Sequence, residues 1–209
     1  MLNVKGTPTP MSTQQQIKQE RTLVLVKPDG VMRGLIGEIL KRIERRGLKI
    51  IAMKMLAVPR THLENHFPKS DEWVGRLGDK GLATFNDYKL DPKEHLGTQD
   101  RMEIGKMVKE SLFAYMTSGP IVAIVIEGIH AIDMVRKLAG HTLPFKAEMG
   151  TLRGDFSVDS PVSANVEKRA IHNIMHASEN LEEATNEVAL WFTKEELHDY
   201  KRADQDVMF

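Results

Sequence analysis

The sequence predicts an α/β fold of the α+β kind, in which helices pack on a four-stranded antiparallel sheet. Three observations carry that prediction. Short apolar runs rich in β-branched residues, Thr22-Leu23-Val24-Leu25-Val26 and Ile121-Val122-Ala123-Ile124-Val125-Ile126, have the length and composition of buried strands. Other stretches place apolar residues at helical spacing, as Ile36, Ile39, Leu40 and Ile43 do. Glycine and proline mark nearly every junction.

The elements follow in order. Residues 1–20 are polar, rich in Thr, Pro and Gln and without sustained apolar periodicity, so they read as a disordered extension. A single domain then occupies 21–209. The first strand ends at Pro28-Asp29-Gly30, read as a turn. A helix over 31–46 stops at Gly47. A second strand runs from Leu48 to Val58, and a short helix fills 60–67. Residues 68–102 show weak periodicity and are too long for a structureless loop, so they read as an insertion with helix of its own. A helix over 103–117 leads through Ser118-Gly119-Pro120 into the third strand. A helix at 130–139, a loop over 140–161, a helix near 162–170 and a short strand at 171–176 follow. Asn180 then caps a last helix, with Glu183 at capping-box spacing and Leu181, Ala184, Val188 and Trp191 as its apolar stripe. The charged tail from Thr193 is left to contact a neighbour or fray. Two split βαβ halves in this order describe a ferredoxin-like α/β sandwich.

Composition removes several function classes. Lys+Arg and Asp+Glu number 29 each, so the chain lacks the basic excess of a nucleic-acid binder. Aromatic residues are 6% of the chain, and no RNP-like motif is present. There are no cysteines, which excludes disulfides, thiolate nucleophiles and Cys-bound zinc. No apolar run reaches the length of a membrane span, and the N-terminus does not read as a signal or transit peptide. The cytoplasm is the expected compartment.

Candidate chemistry sits at the ends of elements. Lys27 ends the first strand, Arg136 lies on the helix after the third, and Thr142 and Arg153 belong to the loop beyond it. Together they offer point charges, guanidinium forks and a hydroxyl to phosphate oxygens. Each alone also reads as a surface group, and Arg153 has a second reading as the partner of Asp155 in a structural turn. No GxxxxGK[ST] loop occurs, so this is not a P-loop protein. His176 stands just before the N-cap of the last helix, where an anion is favoured and a neutral, nucleophilic imidazole is preferred over imidazolium. Glu187, on the flank of that helix, is placed to orient the ring. The alternative for His176 is a core or surface histidine held by a carbonyl. Asn173 can bond a sugar hydroxyl or a phosphate, or close a turn. The histidines at 62, 66, 95, 130, 141, 172 and 198 show no metal-ligand spacing and read as structural or exposed.

Five segments resemble those of nucleoside diphosphate kinases. They are Thr22–Gly30, Ser118-Gly119-Pro120 with its strand and Glu127-Gly128, Gly150-Thr151-Leu152-Arg153-Gly154-Asp155-Phe156, Asn173-Ile174-Met175-His176-Ala177-Ser178-Glu179, and Glu187-Val188-Ala189-Leu190-Trp191-Phe192. They fall in the family's order across 21–192. The resemblance implies ping-pong transfer of a γ-phosphoryl group from a nucleoside triphosphate such as ATP to a nucleoside diphosphate. It makes His176 the phosphorylated nucleophile and Glu187 its orienting acid. Lys27, Arg136, Thr142 and Arg153 would hold the phosphates, and Lys27 with Asn173 the sugar hydroxyl. Phe67, Val108 and Leu112 would line the nucleotide site. Mg²⁺ would arrive on the nucleotide phosphates, with Glu179 reaching it through water. A homo-oligomer, tetramer or hexamer, is implied; no membrane or nucleic acid is.

Departures from the family's pattern accompany the resemblance. Ala177 replaces a glycine and Glu179 an aspartate, and Phe67 replaces a tyrosine. Val108 and Ala170 stand where the family clamps the base between phenylalanine and valine. Insertions near 68–104 and 157–169 flank the cleft, either as surface growth or as a modified lid. A degenerate member that binds nucleotides without transferring phosphate is the competing reading, motivated by Ala177 and Glu179.

Overall fold

A computed structural model describes residues 19–208. Its sheet has four strands, β1 (Gln19–Val26), β2 (Lys49–Leu56), β3 (Ile121–Ile129) and β4 (Met175–Ala177), in the order β2-β3-β1-β4. Every neighbouring pair is antiparallel. This is the ferredoxin-like arrangement expected. One expectation is corrected at its start: Gln19 and Glu20, assigned to a disordered extension, belong to β1. Their partners Ile129 and Gly128 extend β3 beyond the apolar run, and the Glu20 carboxylate accepts the Ile132 N–H at 3.3 Å. The rest of that extension, 1–18, lies outside the described residues.

Both faces of the sheet are covered, which explains why β1 and β3 read as continuous apolar runs and not as alternating ones. Leu23 and Leu25 point to a core shared with Leu63, Phe113, Val188 and Trp191. Val24 and Val26 point to a second core with Ile39, Ile43, Val135 and Leu152. The expected turn at Pro28-Asp29-Gly30 instead opens a short helix, α1 (Pro28–Met32), and the expected single helix is interrupted before α2 (Ile36–Arg45). Pro28 sits at a helix start, where its missing N–H costs nothing. Gly34, at φ 69°, makes the break.

The remaining helices frame the site. α3 (Arg60–His66) lies on the Leu23/Leu25 face. The first insertion supplies α4 (Asp71–Asp87) and the short α5 (Pro92–Leu96), and α4 packs as a helical hairpin on α6 (Arg101–Met116), the helix expected over 103–117. Its two long helices touch backbone to backbone. A Cβ at Gly78 would lie 1.8 Å from the Arg101 carbonyl oxygen, and one at Gly105 2.1 Å from that of Val74. Gly75, Gly78 and Gly81 thus lie on the contact surface of the hairpin. α7 (Ala131–Ala139), α8 (Leu152–Phe156) and α9 (Pro161–Val166) follow β3. α9 packs on α4, and Ser111 Oγ donates to the Lys168 carbonyl at 3.3 Å, so the two insertions meet. α10 (Leu181–Trp191) is the last long helix. Part of the tail beyond it packs back on β2. The His198 N–H donates to Ile51 O at 2.8 Å and Tyr200 Oη to Ile50 O at 2.8 Å, which covers part of the free edge of β2.

Candidate active site

The site gathers where β1 ends beside β4. His176 lies on β4 directly opposite Leu25. Opposed residues share a face, so its ring points to the Leu23/Leu25 side, under α3 and α10. His176 precedes the last helix, as expected, from a strand and not from the helix's first turn. Ala177, Ser178 and Glu179 separate it from the Asn180 cap. The capping box is also altered. Asn180 accepts the Glu183 N–H at 2.9 Å, but the Glu183 carboxylate accepts from the Glu179 N–H at 2.8 Å and not from Asn180.

Glu187 is buried in α10 and faces the ring. Its two oxygens lie 2.8 and 2.9 Å from His176 Nε2. Hydrogen bonding fixes which way the proton runs. Ser178 Oγ accepts the Leu23 N–H at 3.2 Å, so its own proton goes to Glu187 Oε2 at 2.6 Å. The carboxylate is therefore an acceptor, Nε2–H donates to it, and the lone pair of the neutral ring is left on Nδ1. The ring is held neutral: its pKa falls from 6.5 to about 3, first through burial, then through the nearby charge of Lys27. Burial also raises the Glu187 pKa, while His66 and Ser178 draw it down.

His66 was not singled out by sequence. It stands at the end of α3 with its side chain 1% exposed, and its Nδ1 lies 3.3 Å from Glu187 Oε1. Its ring meets that of His176 edge to face at 4.9 Å, and the Trp191 Nε1–H donates to its Nδ1 at 3.3 Å. Burial lowers its pKa to about 3. Of the two sequence readings of His66, structural or exposed, the exposed one is excluded, and the ring lies beside the candidate nucleophile. Local spacing could not find it, because its partners lie far along the chain. His66, His176 and Glu187 are also the one group among the described residues whose donor atoms cluster closely enough to hold a metal ion.

Lys27 follows Leu25 on the same side of β1. It is buried, and its Nζ donates to Asn173 Oδ1 at 2.7 Å. Burial, with the neighbouring Arg153, lowers its pKa to about 7. Asn173 in turn donates to the Thr142 carbonyl at 3.0 Å; the Thr142 side chain itself is exposed. Arg153 is buried, and the turn pairing with Asp155 does not form. Its guanidinium donates to the carbonyls of Asn173, Gly140 and Met175 at 3.1, 2.7 and 2.7 Å, while Asp155 pairs with Arg42 at 2.7 Å. Burial and the charge of Arg136 lower the Arg153 pKa to about 10. Arg136 is exposed and reaches within 4.0 Å of Glu179.

Phe67 stacks on Trp73 of the hairpin at 5.9 Å. Both line a cleft of about 920 Å³ that opens onto His176 and carries Glu179, Glu182 and Glu183 on its α10 wall. Val108 and Leu112 lie half-buried on α6, Leu112 against the core, and Ala170 is buried beside α9. They do not contribute to that cleft.

A family profile described as nucleoside diphosphate kinase matches residues 20–74 and 93–197 of this chain. The residues it leaves between those spans fall in the α4–α6 hairpin. The nucleoside diphosphate kinase of Pyrobaculum aerophilum is 46% identical over 178 residues, 85% of this chain and 97% of that protein. That of Archaeoglobus fulgidus is 38% identical over 190 residues, 91% and 97% respectively. Among solved structures, an NDP kinase from Pyrobaculum aerophilum matches with a TM-score of 0.83 and 43% identity, covering 87% of this chain and all of that one. A transition state mimic of the Borrelia burgdorferi nucleoside-diphosphate kinase, with bound vanadate and ADP, matches with a TM-score of 0.74 and 36% identity over 90% of this chain and 96% of that one. Sequence and fold agree over most of the chain's length, and it belongs to the nucleoside diphosphate kinase family.

Proposed function

We propose that this chain exchanges γ-phosphoryl groups between nucleoside triphosphates and diphosphates through a phosphohistidine on His176. One observation carries the reading: Glu187 occupies Nε2 of a buried neutral imidazole, which leaves the Nδ1 lone pair free beside Lys27, Arg136 and Arg153. In the first half-reaction Nδ1 forms a bond to the γ-phosphorus. The bond from that phosphorus to the β–γ bridging oxygen breaks, and the electron pair leaves with the diphosphate. The second half-reaction runs the same step backwards onto a different diphosphate. The positive charge that Nδ1 phosphorylation puts on the ring is offset by Glu187. The cations spread over the phosphates supply the electrostatic support such a transfer needs.

Lys27 and Asn173 form the buried pair that would meet the sugar hydroxyl and the phosphates, with Arg136, Thr142 and Arg153 on the phosphate side. Phe67, Val108 and Leu112 are assigned to the nucleotide's flank. The donor set suits Mg²⁺ carried on the nucleotide. Two of the three donor atoms clustered at His66, His176 and Glu187 are nitrogens, which Mg²⁺ avoids, whereas the exposed Glu179 carboxylate can meet a hydrated ion. When bound, Mg²⁺ would neutralise phosphate charge. The neutral overall charge and the lack of cysteine fit a cytoplasmic enzyme without nucleic-acid partners. Among the described residues no helix is long and apolar enough to cross a membrane. Closed homo-oligomers, tetramer or hexamer, are the assembly we assign.

The test is direct. The protein is incubated with γ-labelled ATP and examined for an acid-labile, base-stable phosphoprotein, and unlabelled diphosphate is then added. The label is expected on the wild type, chased into triphosphate, and absent in His176→Gln. A wild type that takes no label removes the reading.

A further inference from the structure

We propose that Asp29 and Tyr115, neither of which touches the reacting ring, are positioning residues that hold the turn carrying the nucleophile; the proposal rests on the phosphohistidine reading above. The observation behind it is Ile174. This β-branched residue has φ 65°, in the left-handed region that glycine and asparagine tolerate and isoleucine does not. It stands between Asn173, the partner of Lys27, and Met175, which precedes His176. A relaxation of Ile174 to extended backbone would turn both flanking segments and carry the imidazole away from Glu187.

The surroundings hold Ile174 in place from both sides of its backbone. Its carbonyl accepts the Lys27 N–H at 2.8 Å. Its N–H donates to Asp29 Oδ2 at 3.1 Å. The approach is close enough that a Cβ at Gly30 would lie 2.8 Å from the Ile174 carbonyl oxygen. Asp29 is itself buried, and its other oxygen accepts the Tyr115 hydroxyl at 2.5 Å. Burial and the Asp29 charge raise the Tyr115 pKa, so the phenol stays a donor. Tyr115 stands in the last turn of α6, the helix that returns from the inserted hairpin, and its ring packs on His172 at 4.9 Å. A chain of contacts therefore runs from the hairpin through Tyr115 and Asp29 to the one strained residue beside the nucleophile. Strain of this kind persists only where neighbours over-determine it.

The experiment compares Tyr115→Phe, Asp29→Ala and Asp29→Asn, each alone and combined with Ile174→Gly. The phosphorylation rate of His176 is measured by rapid quench, alongside nucleotide KM and melting temperature. Small misplacements of a reacting group cost up to about 100-fold in rate. On that scale Tyr115→Phe is expected to lower the rate roughly 10-fold and Asp29→Ala roughly 100-fold, with KM nearly unchanged. Asp29→Asn keeps one oxygen for the Ile174 N–H and is expected to retain most of the rate. Ile174→Gly removes the need for a clamp and is expected to restore the rate of Tyr115→Phe. The ¹⁵N resonances of His176, which need no turnover, are expected to report loss of the Nε2–H bond to Glu187 in Asp29→Ala. Unchanged rates and nitrogen shifts in Tyr115→Phe and Asp29→Ala, an effect confined to KM, or failure of Ile174→Gly to rescue would each overturn the proposal. A wild type that takes no label would instead remove the phosphohistidine reading, while the nitrogen shifts would still decide whether the clamp exists.

Discussion

Glu187 holds the Nε2 edge of His176 with both carboxylate oxygens, at 2.8 and 2.9 Å. Replacement by glutamine keeps the shape and removes the charge that offsets the phosphorylated ring. Glu187→Gln is expected to lower kcat on the order of 100-fold while nucleotide KM stays within about twofold. Steady-state kinetics with two diphosphates check this, and a change in KM alone would contradict it.

Two buried neutral imidazoles make the fold sensitive to acid. The folded pKa of both His66 and His176 is about 3 against 6.5 when unfolded. Between those values the unfolded chain binds protons that the folded chain does not. The stability that depends on these rings is therefore complete above about pH 6.5 and falls as pH drops toward about 3. From pH 7 to pH 5 the loss is about 1–2 kcal/mol per ring. Melting curves of wild type and His66→Gln isolate one ring from all other titrating groups. The variant should show a visibly shallower fall over that interval, and parallel curves would count against the buried neutral state.

Lys27 offers a separate proton signal. Its pKa of about 7 in the free protein leaves it mostly uncharged at pH 8. A phosphate beside the amine raises that pKa, so binding at pH 8 should take up close to one proton. Calorimetric titration of a nucleoside diphosphate in buffers of different ionisation enthalpy measures the uptake. Lys27→Met should abolish it. Equal heats in all buffers for the wild type would mean that Lys27 does not meet the phosphates.

The hairpin can be tested through its closest contact. Gly78→Ala would drive a methyl group into the Arg101 carbonyl, 1.8 Å away, where neither backbone can yield cheaply. A loss of about 1–3 kcal/mol is expected, the usual cost of overpacking. Hydrogen exchange should localise the loosening to 71–116. A melting temperature equal to wild type would show that the helices do not meet there.

Much of the fold was readable because the two central strands announce themselves locally; the last strand did not, since it was expected over 171–176 and forms over Met175–Ala177. Thr22–Val26 and Ile121–Ile126 are short, β-branched and flanked by breakers, and the four-strand order follows from the alternation with helices. The misreadings share one physical origin, which is that long-range partners decide local outcomes. Gln19 and Glu20 look like the polar extension before them, but the far end of β3 pairs with them. Gly75, Gly78 and Gly81 look like breakers, yet they lie on the surface along which two helices touch. At the site, Lys27, Asn173, His176 and Glu187 stood out through residue type and motif. His66 did not, since its contacts cross from α3 to Glu187 on α10 and to His176 on β4, far along the chain. Asp29 read as a turn residue for the same reason. Arg153 had two local readings, and its three carbonyl partners, spread from Gly140 to Met175, excluded the pairing with Asp155.

The bond from Lys27 to Asn173 joins residues 146 apart in sequence, and that from Leu23 to Ser178 joins residues 155 apart. During synthesis at about 5–20 residues per second, the first strand waits on the order of ten seconds for the partners that complete its edge. A nascent chain can already expose β1 as an apolar ribbon, and later settle it against β3, well before any phosphate chemistry exists. His176, Glu187 and the Asn173 amide that meets Lys27 all emerge near the end. On the proposed reading, a chain cut short before Glu187 would lack the carboxylate that holds Nε2 of His176.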